Sequence, residues 1–194
     1  MKKHAVFMGA VAAVVLSLSA CAGEPSYRAP DLTFANVAPV SLNVAQIEVR
    51  DAYKPPMTPP NVEHTFQTPL YVTTENLLKR QLAAGGQANI LRAVITDASV
   101  VREELPVDGG FMNYFKIEES ARLNGRVVVR FELVSADAPD IVIRHMTLTV
   151  KRQKTILEDA SVSDLERASF RLTEDMMSDL SGGIMTSVRG AFGG

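Results

Sequence analysis

"LNGRVVVRFELV", residues 123 to 134, decides the architecture. Leu123, Val127, Val129, Phe131 and Leu133 share one parity, while Asn124, Arg126, Arg130 and Glu132 share the other. Apolar side chains on one side and charges on the other, at a period of two, make a strand with one face in a core. After a turn at "SADAPD", residues 135 to 140, Val142, Met146, Leu148 and Val150 form the apolar parity of a second strand. Opposed residues of an antiparallel pair lie on the same face of a sheet. Pairing odd positions of the first strand with even positions of the second therefore gathers every one of those apolar residues on one face.

Working outward from this hairpin, residues Asn89 to Val101 read as a strand with apolar residues on both faces, which predicts a central position in the sheet. Upstream, Val40, Leu42 and Val44 alternate, and Ile47 and Val49 continue on the opposite parity. That predicts a strand with a bulge around Ala45-Gln46. Two helices are expected. Thr68-Pro69 has the form of an N-cap followed by proline at the first helical position, opening a helix to about Ala84 with Leu70, Leu77, Leu78 and Leu82 on one face and a stop at Gly85-Gly86. Ser163-Asp-Leu-Glu166 matches a capping box. Behind it Leu165, Leu172, Met176, Leu180, Ile184, Val188 and Phe192 recur at three- and four-residue spacing, with a kink expected at Gly182-Gly183.

The order strand, helix, three strands, helix predicts an α+β fold: a two-layer domain whose four-stranded, mostly antiparallel sheet carries both helices on one face. Between the first strand and the first helix, "YKPPMTPPNVEH" holds four prolines from Pro55 to Pro60. That composition excludes a helix or an inner strand. The segment reads as an extended loop, either wrapped over the domain or offered as a polyproline recognition element.

The N-terminus carries a different signal. Lys2 and Lys3 precede an apolar or small run from Ala5 to Leu16. A positive start and an apolar stretch of about a dozen residues are the mark of a secretory signal, and the run is shorter than the roughly 20 residues of a membrane span. The one cysteine of the chain, Cys21, follows directly after Leu18, Ser19 and Ala20. These four residues resemble the bacterial lipobox, in which the thiol takes a diacylglycerol, the chain is cut before the cysteine and the new amine is acylated. The resemblance implies a signal peptide over residues 1–20 and lipidation at Cys21. A chance cysteine beside an ordinary cleavage site, or a buried core thiol, fits the placement less well. Ala22 follows where inner-membrane lipoproteins often carry Asp, so the resemblance favours the outer membrane. Several acyl chains on one residue exceed what stable anchoring needs.

Removing residues 1–20 lowers Lys plus Arg from 20 to 18 against 22 acids, a formal charge of −4. Nothing in that balance suggests a nucleic-acid partner. Residues 21–39, interrupted by Pro25, Pro30 and Pro39, read as a flexible tether, and 40–194 as one domain.

Catalytic signatures are missing. No G-x-x-x-x-G-K-[ST], G-x-S-x-G or H-E-x-x-H occurs, and "LSGGIM" at 180–185 resembles the signature of transport ATPases without the phosphate-binding loop it would need. His64 and His145 are far apart, so no metal site is expected, and no cofactor. Neighbouring carboxylates at Glu103-Glu104 and Glu118-Glu119 point to opposite strand faces and read as solvated. The chain is therefore expected not to be an enzyme, although a pocket assembled in three dimensions would leave no motif.

The better candidate is "LPVDGGFMNYFKIEES", which puts Phe111, Met112, Tyr114 and Phe115 beyond a glycine pair between two strands. Such a cluster either folds back on the core or forms a hydrophobic finger that touches lipid or a partner protein. On the outward parity of the hairpin Arg126, Arg130, His145 and Lys151 form a cationic strip, either a site for anionic lipid or a plain solvated face. Together with the lipobox, the element order resembles the auxiliary lipoproteins of envelope lipid-transport ABC systems and, more loosely, the lipoprotein of the lipopolysaccharide translocon. The resemblance covers Val40 to the C-terminus and is topological. It implies a periplasm-facing lipoprotein on the outer membrane, a non-enzymatic partner subunit in lipid or lipopolysaccharide trafficking, with an envelope protein and a lipid as candidate partners. A stand-alone structural or envelope-stress lipoprotein is the alternative.

Overall fold

The computed structural model describes residues 27–106 and 119–193. Its centre is a four-stranded sheet in the order β2-β4-β5-β6, built from β2 (Gln46–Asp51), β4 (Ile90–Glu104), β5 (Glu119–Val134) and β6 (Val142–Leu157). The strands β4, β5 and β6 are antiparallel neighbours, and β2 joins β4 in parallel. Helices α1 (Leu70–Gln81) and α2 (Val162–Gly183) cover one face. The α+β class and the two-layer sheet stand as the periodicity predicts.

The hairpin has the expected register. Val127 faces Val150, Val129 faces Leu148 and Phe131 faces Met146. Val127, Val129 and Phe131 are fully buried. Val142 is the exception. A register shift between Leu133 and Val134 leaves it opposite Val134 and 40% exposed.

β4 occupies the expected inner position, but its double-sided apolar pattern has a local cause. Thr96 is an extra residue between the pairs Ile95–Val129 and Asp97–Val128. The slip moves the buried set from Leu91, Ala93 and Ile95 to Ala98 and Val100. A bulge of one residue exchanges the two faces beyond it.

The segment expected as one bulged strand is two strands. β1 (Val40–Leu42) pairs in parallel with β3 (Leu82–Ala84) in a small separate sheet, and β2 starts only at Gln46. The change of parity thus marks a break. Helix α1 ends at Gln81, three residues short of the expected Ala84, because Leu82–Ala84 leave it to pair with β1. Gly85 lies against β1 and Gly86 against the residues just after it: a Cβ on Gly86 would sit 2.6 Å from the backbone nitrogen of Val44.

Helix α2 begins two residues before the expected point. Ser161 is the N-cap, its hydroxyl accepting from the Asp164 N–H at 3.2 Å while the Asp164 carboxylate accepts from the Ser161 N–H at 3.1 Å. The helical hydrogen bonding runs through Gly182 to Gly183. A π-helical turn, Ile184–Val188, follows and leads into α3 (Arg189–Phe192). Leu180, Ile184, Val188 and Phe192 are spaced by four residues, which in an α-helix rotates the stripe by about 40° per step. A π turn, closed by i→i+5 bonds, is wider and holds that spacing in line. All four are buried.

The proline-rich loop is wrapped over the domain. β2 covers β4 only from Ile90 to Ile95, and beyond it the edge is taken by the segment around Asn61. Val62 N–H donates to Val100 O at 2.9 Å, and Arg102 N–H donates to Pro60 O at 2.9 Å. Glu63 is buried there, accepting from Tyr53 Oη at 2.6 Å and from Val100 N–H at 3.1 Å. An otherwise open edge of an inner strand is closed in this way.

Candidate functional site at the tether end

Of the residues singled out in the sequence, Leu18, Ser19, Ala20 and Cys21 lie outside the described residues, as do Phe111, Met112, Tyr114 and Phe115. Arg126 and Arg130 are on the outer face of β5, away from the helices. Each has an acid beside it: Arg126 lies 3.4 Å from Asp97, and Arg130 lies 2.7 Å from Glu132. Arg122–Glu103 and Arg92–Glu132 continue the pattern at 3.9 and 3.6 Å. His145 is opposite Glu132 and Lys151 opposite Arg126. The arginines of the strip are thus interleaved with acids, Lys151 beside Arg126 being a like-charge exception, and exposed pairs of this kind contribute little each.

The segment expected as a free tether is attached from Tyr27 onward, which corrects its length. Tyr27 N–H donates to Ser163 Oγ at 3.2 Å, and the Arg167 guanidinium lies over the Tyr27 ring, 5.4 Å from its centre. Gln67 holds the strand of chain twice, with Oε1 accepting from Ala29 N–H at 3.0 Å and Nε2 donating to Tyr27 O at 3.1 Å. Arg80 donates to Ala35 O at 3.2 Å, and Phe34 and Val37 pack against the core. Proline and small polar residues look like a linker in one dimension. Here they form a strap whose backbone is bonded by side chains from elsewhere.

The strap decides where the N-terminal part departs. Ser163 and Arg167 belong to the first turns of α2, just after the turn that follows β6. Leu157, at the end of β6, faces Glu119, and Ala121 faces Glu104. The strand ends on either side of residues 107–118 therefore share one end of the sheet with Tyr27. At full extension the six steps from Cys21 to Tyr27 reach about 20 Å.

At this end an open cleft of about 520 Å³ separates the last residues of β6 from α2. Lys154, Leu157, Asp159, Arg167 and Arg171 are among its lining. Arg167 is engaged with Asp164 at 3.1 Å. Hydrogen bonds from Ser161, with Arg167 adding to them, hold the Asp164 carboxyl below its ordinary range. Lys154, Asp159 and Arg171 have no ion-pair partner among the described residues. Leu157 is 46% exposed and Val162, in the first turn of α2, 76%. A second groove of about 400 Å³ runs between the strap and the helices over Leu77 and Met177, with Asp31 and Glu174 also lining it.

Neither the cleft nor the strap is legible in the sequence, although two signals are present. Lys154 lies on the core parity of β6, an odd place for a lysine, and Leu157-Glu-Asp-Ala160 precedes a cap that fixes the start of α2.

No family model matches the sequence, and no curated protein shows a significant match. Solved structures similar to this chain include a Xanthomonas campestris protein of the DUF330 family, 12% identical, with 86% of this chain and 96% of that chain covered and a TM-score of 0.40. The rare lipoprotein B of Shewanella oneidensis is 14% identical over 75% and 95% of the two chains, with a TM-score of 0.37. A minor lipoprotein from Acinetobacter baumannii is 12% identical over 72% and 91%, with a TM-score of 0.35. With every one of these scores below 0.5, the likeness assigns no role, and function has to be sought in this chain's own residues.

Proposed function

We propose that this chain is a periplasm-facing lipoprotein, acylated at Cys21 and anchored in the outer membrane, that serves as a non-enzymatic partner subunit in lipid or lipopolysaccharide trafficking. The supporting observation is the convergence at one end of the domain. Tyr27 is fastened to Ser163 there, and the strand ends at Glu104 and Glu119 lie beside it. A lipid on Cys21 brings the membrane within about 20 Å of that end. Residues 107–118, whose sequence carries Phe111, Met112, Tyr114 and Phe115, join the two strand ends at that place. The lipobox pattern Leu18-Ser19-Ala20-Cys21 supports the anchor independently.

The test is photo-crosslinking in cells from Phe111 and Tyr114, each replaced by a photoreactive residue, with adducts identified by mass spectrometry. A lipid or a transport-protein adduct is expected. No adduct from either position, in a chain whose mass shows the acyl groups, would turn the reading to a stand-alone structural lipoprotein. A mature chain without acyl mass would remove the anchor itself.

A further inference from the structure

We infer that the cleft between the end of β6 and the start of α2 takes the headgroup of a zwitterionic aminophospholipid from the membrane that holds Cys21. The inference rests on the anchoring reading and goes beyond it, because it assigns a site, a ligand class and an orientation.

Two observations carry it. The first is chain length. The six Cα steps from Cys21 to Tyr27 limit the separation of the acylated residue from the start of α2 to about 20 Å, so this end stays near the headgroups. The second is charge complementarity. The cleft presents two cations, Lys154 and Arg171, and one carboxylate, Asp159, without an ion-pair partner among the described residues. A phosphate diester fits the cations, Arg171 offering a planar fork of donors and Lys154 a point charge. A primary ammonium with three donors fits the carboxylate. Glu158, exposed beside Asp159, adds a second acid to the turn. The local charge is therefore mixed, which suits a headgroup carrying both signs better than a purely anionic one. Leu157 and Val162 flank the site and expose the apolar side chains that an interfacial contact requires.

The native sequence makes the measurement direct. Its single cysteine is consumed by the thioether, so one added cysteine takes one nitroxide. The acylated chain carrying Val162→Cys is placed in vesicles that contain a nickel-chelating lipid. The same chain with Ile141→Cys, at the opposite end of the sheet and 59% exposed, is the control. In vesicles of equal phosphatidylcholine and phosphatidylethanolamine, the Val162 label is expected to relax several-fold faster than the Ile141 label. Lys154→Ala or Arg171→Ala should each reduce the docked population roughly tenfold, from the loss of one charge-assisted hydrogen bond to the headgroup phosphate. Asp159→Asn should lower the Val162 signal to its level in pure phosphatidylcholine, whose quaternary ammonium has no proton to donate.

Equal relaxation of the two labels would overturn the orientation. A Val162 signal insensitive to Asp159→Asn, yet raised by phosphatidylglycerol, would overturn the zwitterionic assignment in favour of simple anion attraction. Loss of the anchor itself is seen separately, in the mass of the mature chain.

Discussion

Gly183 of α2 lies directly against Leu148 of β6: a Cβ on Gly183 would meet Leu148 Cδ2 at 2.7 Å and Cδ1 at 2.9 Å. One position earlier, Gly182 has nothing within 4 Å of the same imagined atom. The two glycines are therefore opposite cases. Gly182→Ala is expected to stabilise the domain by about 0.5–1 kcal/mol through helix propensity. Gly183→Ala is expected to destabilise it by about 1–2 kcal/mol, since overpacking exceeds the propensity gain. Urea unfolding of both variants measures the difference, and equal effects would mean that α2 does not approach β6 at this point.

Much of the fold is legible because it repeats. The hairpin pairs Val127 with Val150 over strands long enough for parity to dominate, and the Leu172 to Phe192 stripe extends over six turns. What the pattern misses is set by single events. Thr96 flips the faces of β4, Leu82 leaves a helix whose stripe it also fits, and Ser161 caps two residues before a Ser163 that fits the same motif. The strap is hidden for another reason: Gln67 and Arg80 bond to backbone some forty residues away, and composition says nothing about such distances. Of the candidate site, Cys21 and the aromatic run stand out by type and spacing, while the cleft depends on the end of β6 meeting the start of α2.

The Gln67 side chain gives a test of the strap. Gln67→Ala removes both of its bonds, each contributing about 1 kcal/mol. Hydrogen exchange over residues 27–35 should accelerate roughly 30-fold through local opening, while exchange in β5 stays unchanged. A uniform rise across the chain would show that the strap is part of the global unit.

Tyr53 and Glu63 connect stability to high pH. Burial, and then the adjoining Glu63 carboxylate, raise the Tyr53 hydroxyl above its ordinary value. The neutral phenol is thus favoured in the folded chain. Its stabilisation is complete below about pH 10, the ordinary value for tyrosine, and is lost as pH rises further. Tyr53→Phe should destabilise the domain by about 1.5–3 kcal/mol at neutral pH by leaving a buried carboxylate short of a donor. The difference from the parent chain should narrow above pH 10. A constant difference to pH 11 would place Tyr53 in water.

The cap of α2 responds at the other end of the scale. Ser161→Ala is expected to cost about 1 kcal/mol. Hydrogen bonds from Ser161 are the first cause of the lowered Asp164 value, so the carboxylate contributes above its unfolded value, near pH 4, and this is lost as pH falls. Denaturation curves at pH 7 and pH 3 should show a larger Ser161→Ala effect at pH 7. The reverse order would mean that the capping box is not formed.

The length of β5 has a mechanical consequence. Sixteen residues at about 3.3 Å each make a rod close to 50 Å long, and under the proposed anchoring the strap, bonded to Ser163, would hold that rod at its tip rather than along its flank. A body held by its tip stands away from whatever surface holds it. Its free end, where Ile141 and Ile143 are more than half exposed, is then offered at a height set by strand length. Shortening β5 and β6 together by two residue pairs would lower that platform by about 7 Å without touching the strap.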